Sequence, residues 1–247
     1  MRGINNFATR RLEFDVLIVY IPKSFSRFRE SSDISPDFNL HDAIKLYATE
    51  KAIKNSMASI GNEFVINIPT LKLAKAVDEK GQYKVAHSQK TADLSKQLCR
   101  QIGLNEKTTD LVYYAGLLQN IGKITLPESL FANKGKLSKE DWEKLQNHPN
   151  VGVNLLMNIN FLSEVIPYIH YHKERWDGKG EPEGLKGNSI PFGSRIIAVA
   201  DAYTAMTSDR SYRDAMDKAE ACEIIKSEAG KKWDPDVVNA LFEVLEK

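Results

Sequence analysis

Three histidines and one aspartate occupy positions where the pattern calls for apolar residues. His87 shares a helical stripe with Thr91, Leu94 and Leu98 at i, i+4, i+7 and i+11, and His172 follows Val165 and Ile169 at i, i+4 and i+7. Asp201 lies between Ile197 and Thr204 at the end of Arg195-Ile-Ile-Ala-Val-Ala-Asp, and His148 precedes Pro149 at a helix start whose first turn aims it inward. Burying such groups costs on the order of several kcal/mol each unless a hydrogen bond or a metal compensates. Taken singly, each reads as a hydrogen-bonded core histidine or a capping carboxylate. Taken together, on separate helices of one domain, they read as ligands for a borderline divalent metal such as zinc, iron or manganese. Imidazole and carboxylate are donors those ions accept, and helical bundles build sites from facing side chains.

The elements that must position these residues change character along the chain. Residues 14–20, Phe-Asp-Val-Leu-Ile-Val-Tyr, and Phe64-Val-Ile-Asn-Ile are rich in β-branched and aromatic side chains and predict strands. Between them, a Ser, Pro and Asp stretch from Ser24 to Asp37 precedes a helical pattern through Leu40, Ile44, Tyr47, Ile53, Met57 and Ile60. Residues 1–70 therefore predict a small α+β unit. From Leu71 onward the strand signals stop, and residues 71–247 predict a mainly α domain. Asn105 precedes one helix, Ser138 with Asp141 caps another, and Asp234-Pro235 opens the last, with Val237, Val238, Leu241 and Leu245 facing inward.

The polar residues sit inside a longer series of motifs. These are His87-Ser, Gly116-Leu-Leu-Gln-Asn-Ile-Gly-Lys-Ile, Gly135-Lys-Leu-Ser, His148-Pro and His172-Lys-Glu-Arg-Trp-Asp-Gly-Lys-Gly-Glu-Pro. They continue through Gly184-Leu-Lys-Gly, Ile190-Pro-Phe, Ala198-Val-Ala-Asp and Thr207-Ser-Asp-Arg-Ser-Tyr-Arg. In this order, residues 87–238 resemble the HD-GYP family, a branch of the HD phosphohydrolases. The resemblance implies an all-helical HD-type bundle that hydrolyses cyclic di-GMP with two or three metal ions, a metal-bound hydroxide attacking phosphorus. It also implies metal ligands at His87, at positions 119 and 120, at His148, at positions 172 and 173, and at Asp201. Lys123 is the implied phosphate contact, with Arg210 and Arg213 the basic residues facing the ligand.

Three of these motifs depart from the family. Its His-Asp pair is Gln119-Asn120, its His-His pair is His172-Lys173, and its Gly-Tyr-Pro is Gly180-Glu181-Pro182. The aspartate replaced by Asn120 is the family's bridge between two dications, whose mutual repulsion a carboxylate offsets and a neutral amide does not. Gln119 offers an amide where imidazole binds zinc or iron well, and Lys173 places an ammonium at a ligand position, where it is expected to pair with Asp201. His87, His148, His172 and Asp201 form an incomplete residual set. The expected cofactor is therefore none, or one weakly held Fe, Mn or Zn ion, and not a full binuclear centre. Lys123, Arg210, Arg213 and Lys173 are the expected grip on a phosphate, while Glu181 opposes an anion.

The chain of 247 residues balances 34 basic against 33 acidic side chains, so no global field points to DNA, RNA or an anionic membrane. The longest apolar run, Val16 to Ile21, is too short to span a bilayer, and a cytoplasmic protein is expected. Cys99 and Cys222 lack metal or redox spacing and read as buried thiols; His41 and His170 read as exposed. Trp142, Trp176 and Trp233 read as core or loop-packing residues rather than base-stacking platforms. Three functions stand open: a catalytically impaired module binding cyclic di-GMP, a related cyclic dinucleotide or a signalling protein; an active phosphodiesterase with a reduced metal centre; and a structural helical scaffold.

Overall fold

Apolar residues recurring at steps of three and four build a helical domain in the computed structural model, which describes residues 74–79, 86–132, 137–157, 162–209 and 214–247. A short helical segment at 74–79 is followed by α1 (His87–Ile102), α2 (Glu106–Leu118), a 3-10 turn (Ile121–Thr125) and α3 (Glu128–Ala132). Then come α4 (Lys139–Gln146), α5 (His148–Leu156), α6 (Ile166–His170), a second 3-10 turn (Gly187–Ser189), α7 (Phe192–Met206), α8 (Lys218–Ser227) and α9 (Pro235–Leu245). Among the described residues, extended pairing is confined to two isolated bridges, Asp177 with Lys186 and Ala229 with Trp233. The α+β unit expected over residues 1–70 lies outside the described residues, as do Arg210 and Arg213.

Helix α7 is apolar on more than one face, and it packs against α1, α2, α6, α8 and α9. Its Ile196, Ile197, Val199 and Ala200 are fully buried, together with Leu98 of α1, Leu117 and Leu118 of α2, Ile225 of α8 and Leu241 of α9. Asp201 follows this apolar run directly. Its position on the innermost helix is what brings a carboxylate among the other elements.

The helix ends follow the capping chemistry legible in the sequence. Asn105 accepts from Thr108 N at 2.8 Å, Ser138 from Asp141 N at 3.1 Å, and Asp234 from Asp236 N at 2.9 Å. The start of α1 is different. Ala86 has no side-chain acceptor to offer, and Asp78 of the 74–79 segment accepts from both Ser88 N (2.9 Å) and Ser88 Oγ (2.6 Å). This cap from a distant segment holds the first turn of α1, and with it His87. Burial raises the Asp78 carboxyl above its ordinary value, against the lowering effect of the Ser88 hydrogen bonds.

Three expectations about burial are corrected. Leu245 is exposed, in the last turn of α9. Cys222 is only partly buried, whereas Cys99 is fully so. His170 is half-buried rather than exposed: its Nε2 lies 2.7 Å from Asn150 Oδ1 of α5, which packs on α6.

The 3-10 turn after α2 packs on α5 closely enough that a β-carbon at Gly122 would collide with the His148 carbonyl oxygen and approach Gly152 N to 2.8 Å. This approach seats His148 beside the end of α2. Gly122→Ala is expected to cost about 3 kcal/mol or more through overpacking. Gly103→Ala, at a left-handed helix cap (φ 84°) with nothing within 4 Å, is expected to cost only about 1 kcal/mol. Urea midpoints of the two variants check the ranking.

Candidate functional site

The Asp201 carboxylate collects donors from three other parts of the bundle. Oδ1 accepts from His87 Nε2 at 2.9 Å and from Gln119 Nε2 at 3.2 Å, and Oδ2 accepts from Lys173 Nζ at 2.8 Å. His87 opens α1, Gln119 is the C-cap of α2, and Lys173 lies in the turn after α6. The Asp201 side chain is 13% exposed and that of Lys173 38%, so the pair lies at the wall of the core. Burial alone would raise the Asp201 carboxyl, but the charge of Lys173, the hydrogen bond from His87 and the charge of Lys123 together hold it well below the usual carboxylate range. It is an anion with its protein donors in place. The His87 nitrogen facing it presents a proton, not a lone pair.

The other two histidines are arranged the opposite way. His148 Nδ1 donates to Leu145 O and His172 Nδ1 to Ile169 O, each at 2.7 Å. A carbonyl oxygen can only accept, so each Nδ1 carries the proton and each Nε2 of the neutral ring keeps its lone pair. The rings meet edge to face with centroids 5.3 Å apart. Burial and the charges around it, Lys123 foremost, push the His148 imidazole well below its ordinary value. Burial and then Lys173 push His172 down to about 3. Both rings are therefore neutral, and among the described residues neither Nε2 has a hydrogen-bond partner. Gln119 Oε1 and both side-chain polar atoms of Asn120 are likewise buried without one.

These donors do not fit a binuclear metal centre. The Asp201 oxygens are engaged by His87, Gln119 and an ammonium, and Asn120 contributes a neutral amide where two dications would need an anion between them. Among the described residues, no group of three or more His, Cys, Asp or Glu side chains is disposed to hold a metal ion.

A cleft of about 330 Å³ opens beside this cluster, with Lys123, His148, Lys173, Arg175, Lys179 and Glu181 in its lining. The loop carrying Lys173 to Pro182 is held from within and from behind. Arg175 grips Asp177 through two hydrogen bonds of 3.0 and 2.7 Å, and Glu174 Oε1 accepts from Glu183 N at 2.8 Å. The amides of Trp176 and Asp177 donate to the carbonyls of Lys232 and Lys231. Glu181 reaches across to α4, where its Oε1 accepts from Gln146 Nε2 at 3.0 Å.

His87, Gln119, Lys173 and Asp201 are thus joined directly. His148 and His172 touch each other, Lys123 shares the cleft with His148, and Gly180 and Glu181 line it while Pro182 follows across a cis peptide bond. The sequence reading missed Trp142, Gln146, Arg175 and Lys179 as cleft residues. The two cations stand in the recognised loop motif, where their side chains were open to assignment. Trp142 and Gln146 had no signal beyond lying on the helix just before His148. Trp142 is also a correction: it is 52% exposed and lines the cleft instead of packing in the core.

Residues 73–237 match the family model described as HD domain. The chain is 37% identical over 169 residues to the 3'3'-cGAMP-specific phosphodiesterase 1 of Vibrio cholerae serotype O1, covering 68% of this chain and 39% of that protein. It is 31% identical over 173 residues to the cyclic di-GMP phosphodiesterase response regulator RpfG of Xanthomonas campestris pv. campestris, covering 69% and 46%. The chain thus spans less than half the length of either relative. Among solved structures, Bd1817, an HDG"Y"P protein from Bdellovibrio bacteriovorus, shares the fold with a TM-score of 0.58 at 18% identity, over 99% of this chain and 82% of that one. With the helical bundle, the order of its motifs and these likenesses in agreement, the chain belongs to the HD domain family, as a divergent member of its HD-GYP branch.

Proposed function

We propose that this domain is a catalytically impaired HD-GYP module that binds a cyclic dinucleotide and signals through that binding rather than through hydrolysis. The carrying observation is the ion pair between Lys173 and Asp201 at 2.8 Å. In a metal-dependent phosphodiesterase the cations acidify water and neutralise the phosphate oxygens. Here a side-chain ammonium takes the carboxylate's second oxygen, and an ammonium supplies charge without the open coordination that activates water. The ligand class is supported by the relatives, whose names specify cGAMP or cyclic di-GMP as substrate, and by the cationic lining of the cleft.

A second reading has an observation of its own. The lone pairs on His148 Nε2 and His172 Nε2 are buried without partners among the described residues, and both rings are fixed through Nδ1 to backbone carbonyls, the usual support of a metal-ligating histidine. One weakly held Fe, Mn or Zn ion there, short of a carboxylate, is the alternative. Metal analysis of protein purified without chelator separates the two. The first reading expects well under one equivalent of transition metal per chain and no linearisation of cyclic di-GMP with added manganese. A stoichiometric ion and turnover would overturn it. The triple variant Gln119→His, Asn120→Asp, Lys173→His is expected to gain metal.

The ionisation of the cluster sets a pH signature in chelator-treated protein. The lowered His148 and His172 values mean that the unfolded chain takes up protons below about 6.5 that the folded one refuses until far lower, about 3 for His172. Their contribution is full above pH 6.5 and is lost progressively below it. The denaturation midpoint should fall from pH 7 to pH 4, and His172→Gln should flatten part of that slope. Asp201, lowered well below 3.8, behaves differently: its pairing contributes fully above that value and is lost only as pH falls through the depressed one. Lys173→Met should therefore cost about 1–2 kcal/mol at pH 7, discounted for the exposure of the lysine. The difference from the native protein should shrink only in strong acid.

A further inference from the structure

Helix α4 has no buried residue, yet it carries a tryptophan and a leucine. Trp142, Leu145 and Gln146 fall at i, i+3 and i+4, on one face, and all three line the cleft beside Lys123, Lys173 and Lys179. Trp142 is 52% exposed, one of three open large apolar side chains among the described residues, with Met157 and Leu245. Among the described residues, no aromatic ring and no cation packs against its indole. Gln146 ties this face to the loop through its 3.0 Å hydrogen bond to Glu181, so the indole is held at the cleft rather than swung away from it.

The lining thus combines an open ring face with ammonium groups. A purely apolar cleft would reject phosphate, and a purely basic one would accept any small anion. A flat π surface next to cations matches a base joined to a phosphate. Lys173 is already engaged with Asp201, whereas no ion pair involving the Lys179 ammonium occurs among the described residues. The cleft volume, about 330 Å³, lies at the lower end of ligand sites, about 300–1,000 Å³, which suits one nucleotide unit with the rest of a larger ligand extending outside.

We infer that Trp142, backed by Leu145, is the base-stacking face of a nucleotide site in this cleft, with Lys179 receiving the attached phosphate. The inference rests on the ligand-binding reading above and adds the residue that recognises the base.

Titrations of the full chain with cyclic di-GMP, with GMP and with inorganic phosphate test it, followed by tryptophan fluorescence and by calorimetry. Saturable quenching is expected with the two base-bearing ligands and not with inorganic phosphate. Trp142→Ala, on an exposed helix face where circular dichroism verifies retention of the fold, is expected to weaken both by on the order of tenfold or more. Trp142→Phe should keep calorimetric affinity within about threefold while removing most of the quenching, since a phenyl ring still stacks. Cyclic di-GMP binding that is undiminished in Trp142→Ala overturns this inference and leaves the binding reading standing. No saturable heat with any of the three ligands overturns both.

Discussion

A carboxylate on the innermost helix of a bundle loses its hydration, and an ion there is tolerated only where donors replace the water. Asp201 meets that condition through His87, Gln119 and Lys173, which belong to α1, the end of α2 and the turn after α6. The carboxylate therefore ties the central helix to three neighbours at one locus, and the charge on Lys173 stabilises the ionised form against burial. Asp78 supports the arrangement from outside by capping the turn that presents His87.

The two sides of the cluster have different electrostatic characters. Around Asp201, hydrogens point at oxygens and the carboxylate's own demand is met within the protein. Around His148 and His172, both Nδ1 protons go to carbonyls, and the Nε2 lone pairs meet no donor among the described residues. The sequence changes fall on the first side, at Gln119, Asn120 and Lys173, while the imidazole pair is retained. The cationic cleft adjoins both sides, and its loop wall is stiffened by the grip of Arg175 on Asp177.

Much of this was legible in the chain because burial and periodicity leave a strong imprint. Polar residues on apolar stripes identified His87, His148, His172 and Asp201 as inward-facing, and their contacts follow. The caps at Asn105, Ser138 and Asp234 were readable because each is a local matter of a few residues. The pairing of Lys173 with Asp201 could be anticipated from charge alone. What could not be read was geometry set by tertiary approach: Asp78 capping a helix ten residues away, His170 meeting Asn150, and Trp142 facing a cleft. Leu145 and Trp142 share an amphipathic pattern with any core-facing helix, and only the shallow seat of α4 leaves the indole open.

An ammonium on a four-carbon stem differs from a dissolved cation in one respect that geometry makes plain. Lys173 is delivered to Asp201 by its own backbone, so its local concentration is set by tether length and not by supply. No scavenger can compete it away, and no change in oxidation state can alter its charge. A bundle whose central anion is matched in this way needs no dissolved cation to hold that locus together.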